Sequence, residues 1–259
     1  KYLELLKFLF KARSGHFDTI ISTGGSKMVS ILLFLTGIKE RYGYDTGKLS
    51  KVLLTNAVKL KKQQYAANMY HDLLTPICKS CEVSIPEVYV SDENLNKAAE
   101  IIGDKSKKII LIHPGVSQMS ISKNIIKFWD TKNWVELVKK LAQTDKYKLI
   151  LAGGPDDEAA IQKIKEELNK IEVDKSNIID TFGKTKNIAQ LAGLIKLSDA
   201  IVCVDSAPMH IGVGTGVNVV AIFGPTDEKK LVPQNTDRIK VVKNNKIDCR
   251  PCLLDKIQV

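Results

Sequence analysis

Three things are scarce in this 259-residue chain, and each scarcity excludes something. Long apolar runs are missing. The longest, Val29 to Ile38, is broken by Ser30, Thr36 and Gly37 and reads as a buried helix, well short of the ~20 residues that span a bilayer. Aromatic residues make up only 6% of the chain, and the lysine clusters at Lys59–Lys62 and Lys105–Lys108 are not interleaved with aromatics, so a nucleic-acid groove is not expected. Cysteines number five. Four form two Cys-x-x-Cys pairs, Cys78/Cys81 and Cys249/Cys252, too far apart in sequence for a zinc ribbon, and no metal site is expected. Cys203, inside the apolar run Ile201 to Val204, reads as an inert core thiol. The opening Lys-Tyr-Leu-Glu-Leu-Leu carries a charge within its apolar part and is not a secretory leader, so a cytoplasmic location is expected.

What remains is a globular profile, 44% apolar and 26% charged, long enough for two domains. Lys and Arg outnumber Asp and Glu by 39 to 29, a net charge of +10. Such a balance attracts polyanions, an anionic membrane face or a phosphorylated substrate, and it also describes ordinary solvated helix faces. Both readings stay open.

Helix and strand patterns alternate along the chain. Tyr2 to Lys11 predicts a mostly buried helix, Phe17 to Ile21 a strand, Ser26 to Thr36 a helix, Lys39 to Tyr44 a strand and Lys59 to Leu74 a helix. Glu87 to Val90 reads as a short strand, and Ser91-Asp92 as the start of a helix ending near Gly103. Strands then follow at Lys108–His113, Tyr147–Ala152, Asn177–Asp180, Ala200–Val204 and Asn218–Phe223, with helices between them. Uninterrupted apolar strands separated by amphipathic helices predict a parallel sheet covered on both faces. The domain boundary is expected between residues 91 and 107, and is set at 102/103.

In such sheets ligands bind beyond the carboxyl ends of the strands. Four segments end strands there: His113-Pro114-Gly115, Gly153-Gly154-Pro155, Asp205-Ser206 and Gly224-Pro225-Thr226. Asp205-Ser206-Ala207-Pro208-Met209-His210 turns from a strand into a helix. The first turn of that helix offers backbone N–H groups and a positive dipole end to a phosphate, although Asp205 or Ser206 also suits a plain helix cap. Lys127 offers a mobile positive charge, or is a solvated loop lysine. Asp156 reads as a cap for the following helix or as a carboxylate for ribose hydroxyls. Gly212-x-Gly214-x-Gly216 ends a helix rather than opening one, so it reads as a helix stop and close packing, not as a dinucleotide loop.

In order, His-Pro-Gly, Lys-x-Trp, Gly-Gly-Pro-Asp, Asp-Ser-x-Pro-Met-His and Phe-Gly-Pro-Thr resemble glycosyltransferase family 9, the heptosyltransferases, over residues 103 to 252. Phe17–Gly25 and Glu40–Tyr44 are more loosely similar to the family's first domain. The resemblance implies an α/β fold of the GT-B type, two facing doubly wound Rossmann-like domains. Residues 1–102 would form an acceptor-side domain, incomplete at its start, and residues 103–259 the donor domain. It implies metal-independent inverting transfer of heptose from a nucleoside-diphosphate-heptose, ADP-heptose first, to the lipopolysaccharide inner core. No cofactor is implied. By the same resemblance Ser117 and Lys127 hold the donor phosphates, and Asp156 and Thr185 the nucleoside. Asp205, Ser206, Ala207 and His210 surround the diphosphate and sugar. The family's base aspartate is expected before Lys1. Cys249-Arg250-Pro251-Cys252 resembles a cysteine-proline segment of the family. A monomer with peripheral contact at the inner membrane face is expected. Two alternatives stand beside the transferase: a noncatalytic relative that binds a nucleotide sugar or anionic glycolipid, and a sugar-nucleotide epimerase or hydrolase on the same fold.

Overall fold

A computed structural model describes residues 2–78, 80–116, 120, 122, 123, 125–172 and 174–252. The chain divides into two compact units, Lys1–Ser84 and Ile85–Val259.

The first unit runs α1 (Tyr2–Ser14), β1 (Thr19–Ile21), α2 (Lys27–Leu35), β2 (Glu40–Asp45), α3 (Lys48–Leu53), β3 (Asn56–Lys59) and α4 (Ala66–Asp72). Its three strands are parallel, in the order β1-β2-β3. Leu33, Ile38, Tyr44, Leu54 and Leu73 form its buried centre. Tyr44 donates its hydroxyl to the Met69 carbonyl at 2.8 Å, and burial pushes the phenol up to about 12. Two expectations change here. The segment Lys59 to Leu74 is not one helix, because Asn56–Lys59 pairs with β2 and only Ala66–Asp72 is helical. Nor is α1 mostly buried: Tyr2 is 86% and Phe10 76% exposed, and Ala12 alone is buried in it. Periodicity reveals an apolar face but not what covers it.

The second unit continues with α5 (Asp92–Ile102), β4 (Lys108–His113), α6 (Thr131–Ala142), β5 (Tyr147–Leu151), α7 (Glu158–Asn169), β6 (Ile178–Asp180) and α8 (Ile188–Lys196). It closes with β7 (Ala200–Val204), α9 (Ala207–Thr215), β8 (Asn218–Phe223), α10 (Glu228–Leu231) and β9 (Ile239–Lys243). All six strands are parallel, in the order β6-β5-β4-β7-β8-β9. The sheet is doubly wound, with its switch point between β4 and β7.

Alternation along the strands builds the two cores. Ile109, Leu111, Ile150, Ile201, Cys203, Val219 and Ala221 point to one face and pack with Ala98 and Ile102 of α5, Ala192 and Ile195 of α8, and Met209 of α9. Ile112, Leu149, Leu151, Val202 and Val204 point to the other and meet Trp134 and Val138 of α6 and Ile161 and Ile164 of α7. Each Val, Leu, Ile or Met side chain among them contributes about 1.5–3 kcal/mol on burial. Ser91 caps α5 by accepting from the Asn94 amide, as its sequence signal predicts. The helix joins the second unit because it lies against α8, where a Cβ on Gly193 would stand 2.5 Å from the Asn94 carbonyl oxygen. The units therefore part at 84/85, upstream of 102/103. Residues 87–90 form no strand, whereas β9 joins the sheet without having been expected. Gly212 and Gly216 behave as read. A Cβ on Gly212 would meet Ile201 at 2.9 Å, and Gly216 ends α9 in the left-handed region. Cys78 and Cys81 form a disulfide, and Cys203 is buried, which pushes its thiol well above the usual range. Among the described residues no helix is long and apolar enough to cross a membrane.

Candidate donor site

Beyond the carboxyl ends of β4, β5 and β7 lies a cleft of about 700 Å³. Its floor is made by the segments that end these strands, and glycines let the segments approach one another. After β4 the chain runs His113-Pro114-Gly115. A Cβ on Gly115 would lie 1.8 Å from Oδ1 of Asp157, so only glycine leaves room for that carboxylate. Asp157 is buried and accepts from the Gly154 amide at 2.8 Å, closing the turn that leads from β5 into α7. Its Oδ2 also faces His113 Nε2 at 3.6 Å. His113 is 4% exposed, and burial holds its imidazole below the ordinary value, against the opposing pull of Asp157. Burial therefore favours the neutral imidazole.

A second knot of residues forms after β7 and β8. Asp205, 4% exposed, is paired with Lys127 at 2.8 Å and accepts from the Thr226 hydroxyl at 2.7 Å, both through Oδ2. Gly224 lets these pieces meet, since a Cβ there would stand 2.6 Å from the Ile126 carbonyl oxygen. Arg250 ties the same loop from below. Its guanidinium donates to the carbonyls of Gly224 (2.5 Å) and Thr226 (2.9 Å) and to Glu228 (3.1 Å). Two paired backbone acceptors and one carboxylate are what the planar fork of arginine suits.

Between these two knots α9 begins. Ser206 occupies its N-cap position but makes no side-chain cap; its hydroxyl donates to the Val204 carbonyl at 3.3 Å. Pro208 in the first turn has no N–H to leave unsatisfied. The positive end of the α9 dipole thus opens into the cleft beside Lys127, a placement suited to an anion. His210 stands one turn along, exposed on the cleft wall. Partial enclosure lowers its pKa, Asp205 raises it and Lys127 lowers it further.

Seven residues picked from the sequence, Lys127, Asp156, Thr185, Asp205, Ser206, Ala207 and His210, line this one cleft. Ser117 lies outside the described residues. Asp156 is exposed, and the N-cap position of α7 falls to its neighbour Asp157, whose carboxylate accepts from the Gly154 amide and makes no side-chain cap for the helix. Sequence reading missed Asp157, Thr226 and Arg250 as supports. It quoted His113 only as part of a motif. Apolar Val116, Ile188, Leu191 and Leu231 also line the cleft. Asn187 caps α8 by accepting from the Gln190 amide at 3.0 Å, which fixes the loop bearing Thr185 at the rim. Among the described residues no group of three or more His, Cys, Asp or Glu side chains is placed to hold a metal ion.

Comparison with known proteins shows the family and the fold. The family model described as glycosyltransferase family 9 (heptosyltransferase) matches residues 6–257. Lipopolysaccharide heptosyltransferase 3 of Escherichia coli K12 is 31% identical over 236 residues, 88% of this chain and 64% of that protein. Lipooligosaccharide heptosyltransferase 2 of Campylobacter jejuni (serotype O:2) is 28% identical over 231 residues, 86% of this chain and 62% of that protein. The chain thus spans less than two thirds of the length of these curated relatives. Among solved structures, the family 9 glycosyl transferase of Veillonella parvula superposes with a TM-score of 0.73 at 19% identity, covering 93% of this chain and 66% of that one. E. coli ADP-heptose LPS heptosyltransferase II gives 0.69 at 20%, covering 96% and 77%. E. coli heptosyltransferase WaaC with ADP gives 0.65 at 16%, covering 93% and 71%. At these identities the likeness is one of fold, and it is the GT-B class expected from the sequence. The matched span, the order of the motifs and their meeting around one cleft agree: the chain belongs to glycosyltransferase family 9, the heptosyltransferase family.

Proposed function

We propose that the second unit binds a nucleoside-diphosphate-heptose, ADP-heptose first, and that the protein transfers the heptose to the inner core of lipopolysaccharide with inversion. One observation carries this reading: Lys127 is held 2.8 Å from a buried aspartate, beside the N-terminus of α9. A lysine ammonium has three donors. One is spent on Asp205, which leaves others for diphosphate oxygens. In the transfer, the bond from the sugar's anomeric carbon to the diphosphate oxygen breaks as the acceptor hydroxyl forms its own bond from the opposite face. Negative charge gathers on the departing diphosphate. Lys127 and the α9 N-terminus offer it preorganised positive charge and donors, in the role a metal ion fills elsewhere, and the Ser206 hydroxyl joins them by turning from the Val204 carbonyl to the diphosphate. Ser117 is assigned to the same phosphates. The acceptor proton leaves to a base to which no residue of this cleft is assigned.

The nucleoside falls at the other end. Asp156 offers a carboxylate to ribose hydroxyls, and Thr185 with the apolar side chains of Ile188 and Leu191 offers a wall for the flat base. His210 completes the sugar end. The net charge of +10 favours an acceptor rich in phosphate at an anionic inner membrane face. On this reading the protein works as a monomer on the cytoplasmic side and needs no cofactor.

The test is transfer itself. The full protein is incubated with ADP-heptose and a heptose-deficient lipopolysaccharide core, with EDTA present, and product mass and ADP release are followed. A core heavier by one heptose with matched ADP release is expected. Donor binding without transfer would mark the noncatalytic alternative, and conversion of the donor without an acceptor would mark the epimerase or hydrolase.

A further inference from the structure

His113 ends β4 at the switch point of the sheet, and the donor assignment above gives it no part. Three facts about it belong together. Its Nε2 faces the Asp157 carboxylate at 3.6 Å. Its Nδ1 is buried and has no hydrogen-bond partner among the described residues. The residue lines the cleft, between the Gly154–Asp157 turn and Asp205. A carboxylate accepts only, so the ring proton belongs on Nε2, where it points at Asp157. Nδ1 then carries a lone pair. Burial disfavours a second proton on the ring, so the nitrogen without the proton keeps its lone pair.

A buried acceptor left unmatched is costly, and polar groups of this kind in a ligand cleft fix ligand orientation. The partner must be a donor. Phosphate oxygens at neutral pH only accept, so the diphosphate does not lie here. The hydroxyl-bearing parts of a nucleotide sugar do donate. We infer that Nδ1 of His113 accepts a hydrogen bond from a sugar hydroxyl of the bound donor, on its ribose or on the transferred sugar, and that Asp157 is a positioning residue holding His113 in the tautomer that can do so. This rests on the nucleotide-sugar reading of the cleft. It adds a specificity contact in the cleft, distinct from those assigned to Lys127 and Thr185.

The experiment measures binding of ADP, 2′-deoxy-ADP, 3′-deoxy-ADP and ADP-heptose to the full protein and to His113→Phe and His113→Gln. Phenylalanine keeps a ring without an acceptor, and glutamine restores an acceptor oxygen. If the ribose is the source, the wild type prefers ADP to one deoxy analogue by about tenfold. That preference falls below about twofold in His113→Phe and partly returns in His113→Gln. If the transferred sugar is the source, the deoxy analogues bind like ADP, and His113→Phe loses about tenfold for ADP-heptose alone. A His113→Phe protein that keeps every preference overturns the inference and leaves the donor site standing. A wild type that binds none of the four overturns both. The ¹⁵N imidazole spectrum of the wild-type protein gives a second reading that needs no variant. An unprotonated Nδ1 whose signal moves upfield on adding ADP or ADP-heptose is expected. A protonated Nδ1, or one indifferent to both, contradicts it.

Discussion

Lys127→Met is expected to lower kcat for heptose transfer by about 10²–10³-fold, the loss typical of removing one preorganised group at a developing negative charge. The same change destabilises the fold. Asp205, 4% exposed, would keep only the Thr226 hydroxyl as a side-chain partner among the described residues. Removing one member of a buried ion pair costs about 3–5 kcal/mol. The Lys127 side chain is 20% exposed, which favours the lower end. Two consequences of one substitution can be separated. Adding Asp205→Asn removes the stranded charge while preserving an acceptor for Thr226, so the double variant should regain most of the lost stability. It should regain none of the lost kcat. Melting curves and steady-state transfer rates on the two proteins decide the matter. A double variant that recovers activity along with stability would show that Lys127 serves the fold and not the leaving group.

Gly115→Ala and Gly224→Ala are expected to be damaging small changes at the cleft floor, and Gly154→Ala is their control. At Gly115 the new methyl would sit 1.8 Å from the Asp157 carboxylate, itself tied to the Gly154 amide. At Gly224 it would sit 2.6 Å from the backbone oxygen of Ile126, next to Lys127. Overpacking of this kind costs about 1–3 kcal/mol, at roughly 2–4 °C of melting temperature per kcal/mol for units of this size. Activity should suffer more than stability, because a shift of ~1 Å at a site can cost ~10²-fold. At Gly154 the nearest atom is 3.8 Å away and φ is −89°, so alanine fits there with little change in melting temperature. Equal melting temperatures for all three variants would contradict the close approaches described above.

These glycines show what sequence could and could not yield. The motifs were legible as strand ends because apolar runs such as Ile109–Ile112 stop at them, and a parallel sheet brings such ends to one edge. Seven predicted site residues therefore share one cleft. What sequence does not carry is which motif touches which. Nothing in His-Pro-Gly announces that its glycine makes way for Asp157, or that Thr226 donates to Asp205 across 21 residues. Arg250 sits between two cysteines that drew attention as possible metal ligands, yet its own bonds fasten the loop at Gly224. The first unit was harder to read. Its strands are three to six residues long, and a four-residue run such as Asn56–Lys59 lacks the length to separate strand from helix. Lys59, read as a helix start, is the last residue of that strand.

The central claim is that this cleft binds a nucleoside diphosphate through Lys127 and the start of α9. It is tested most directly by calorimetric titration of the full protein with ADP, UDP and GDP in the presence of EDTA, for wild type and Lys127→Met. The account predicts saturable binding of ADP by the wild type, weaker binding of UDP and GDP, and a loss of ADP affinity of about tenfold or more in the variant, as expected for a charge-assisted contact. No binding of any nucleotide by the wild type, or undiminished ADP binding by Lys127→Met, would contradict it.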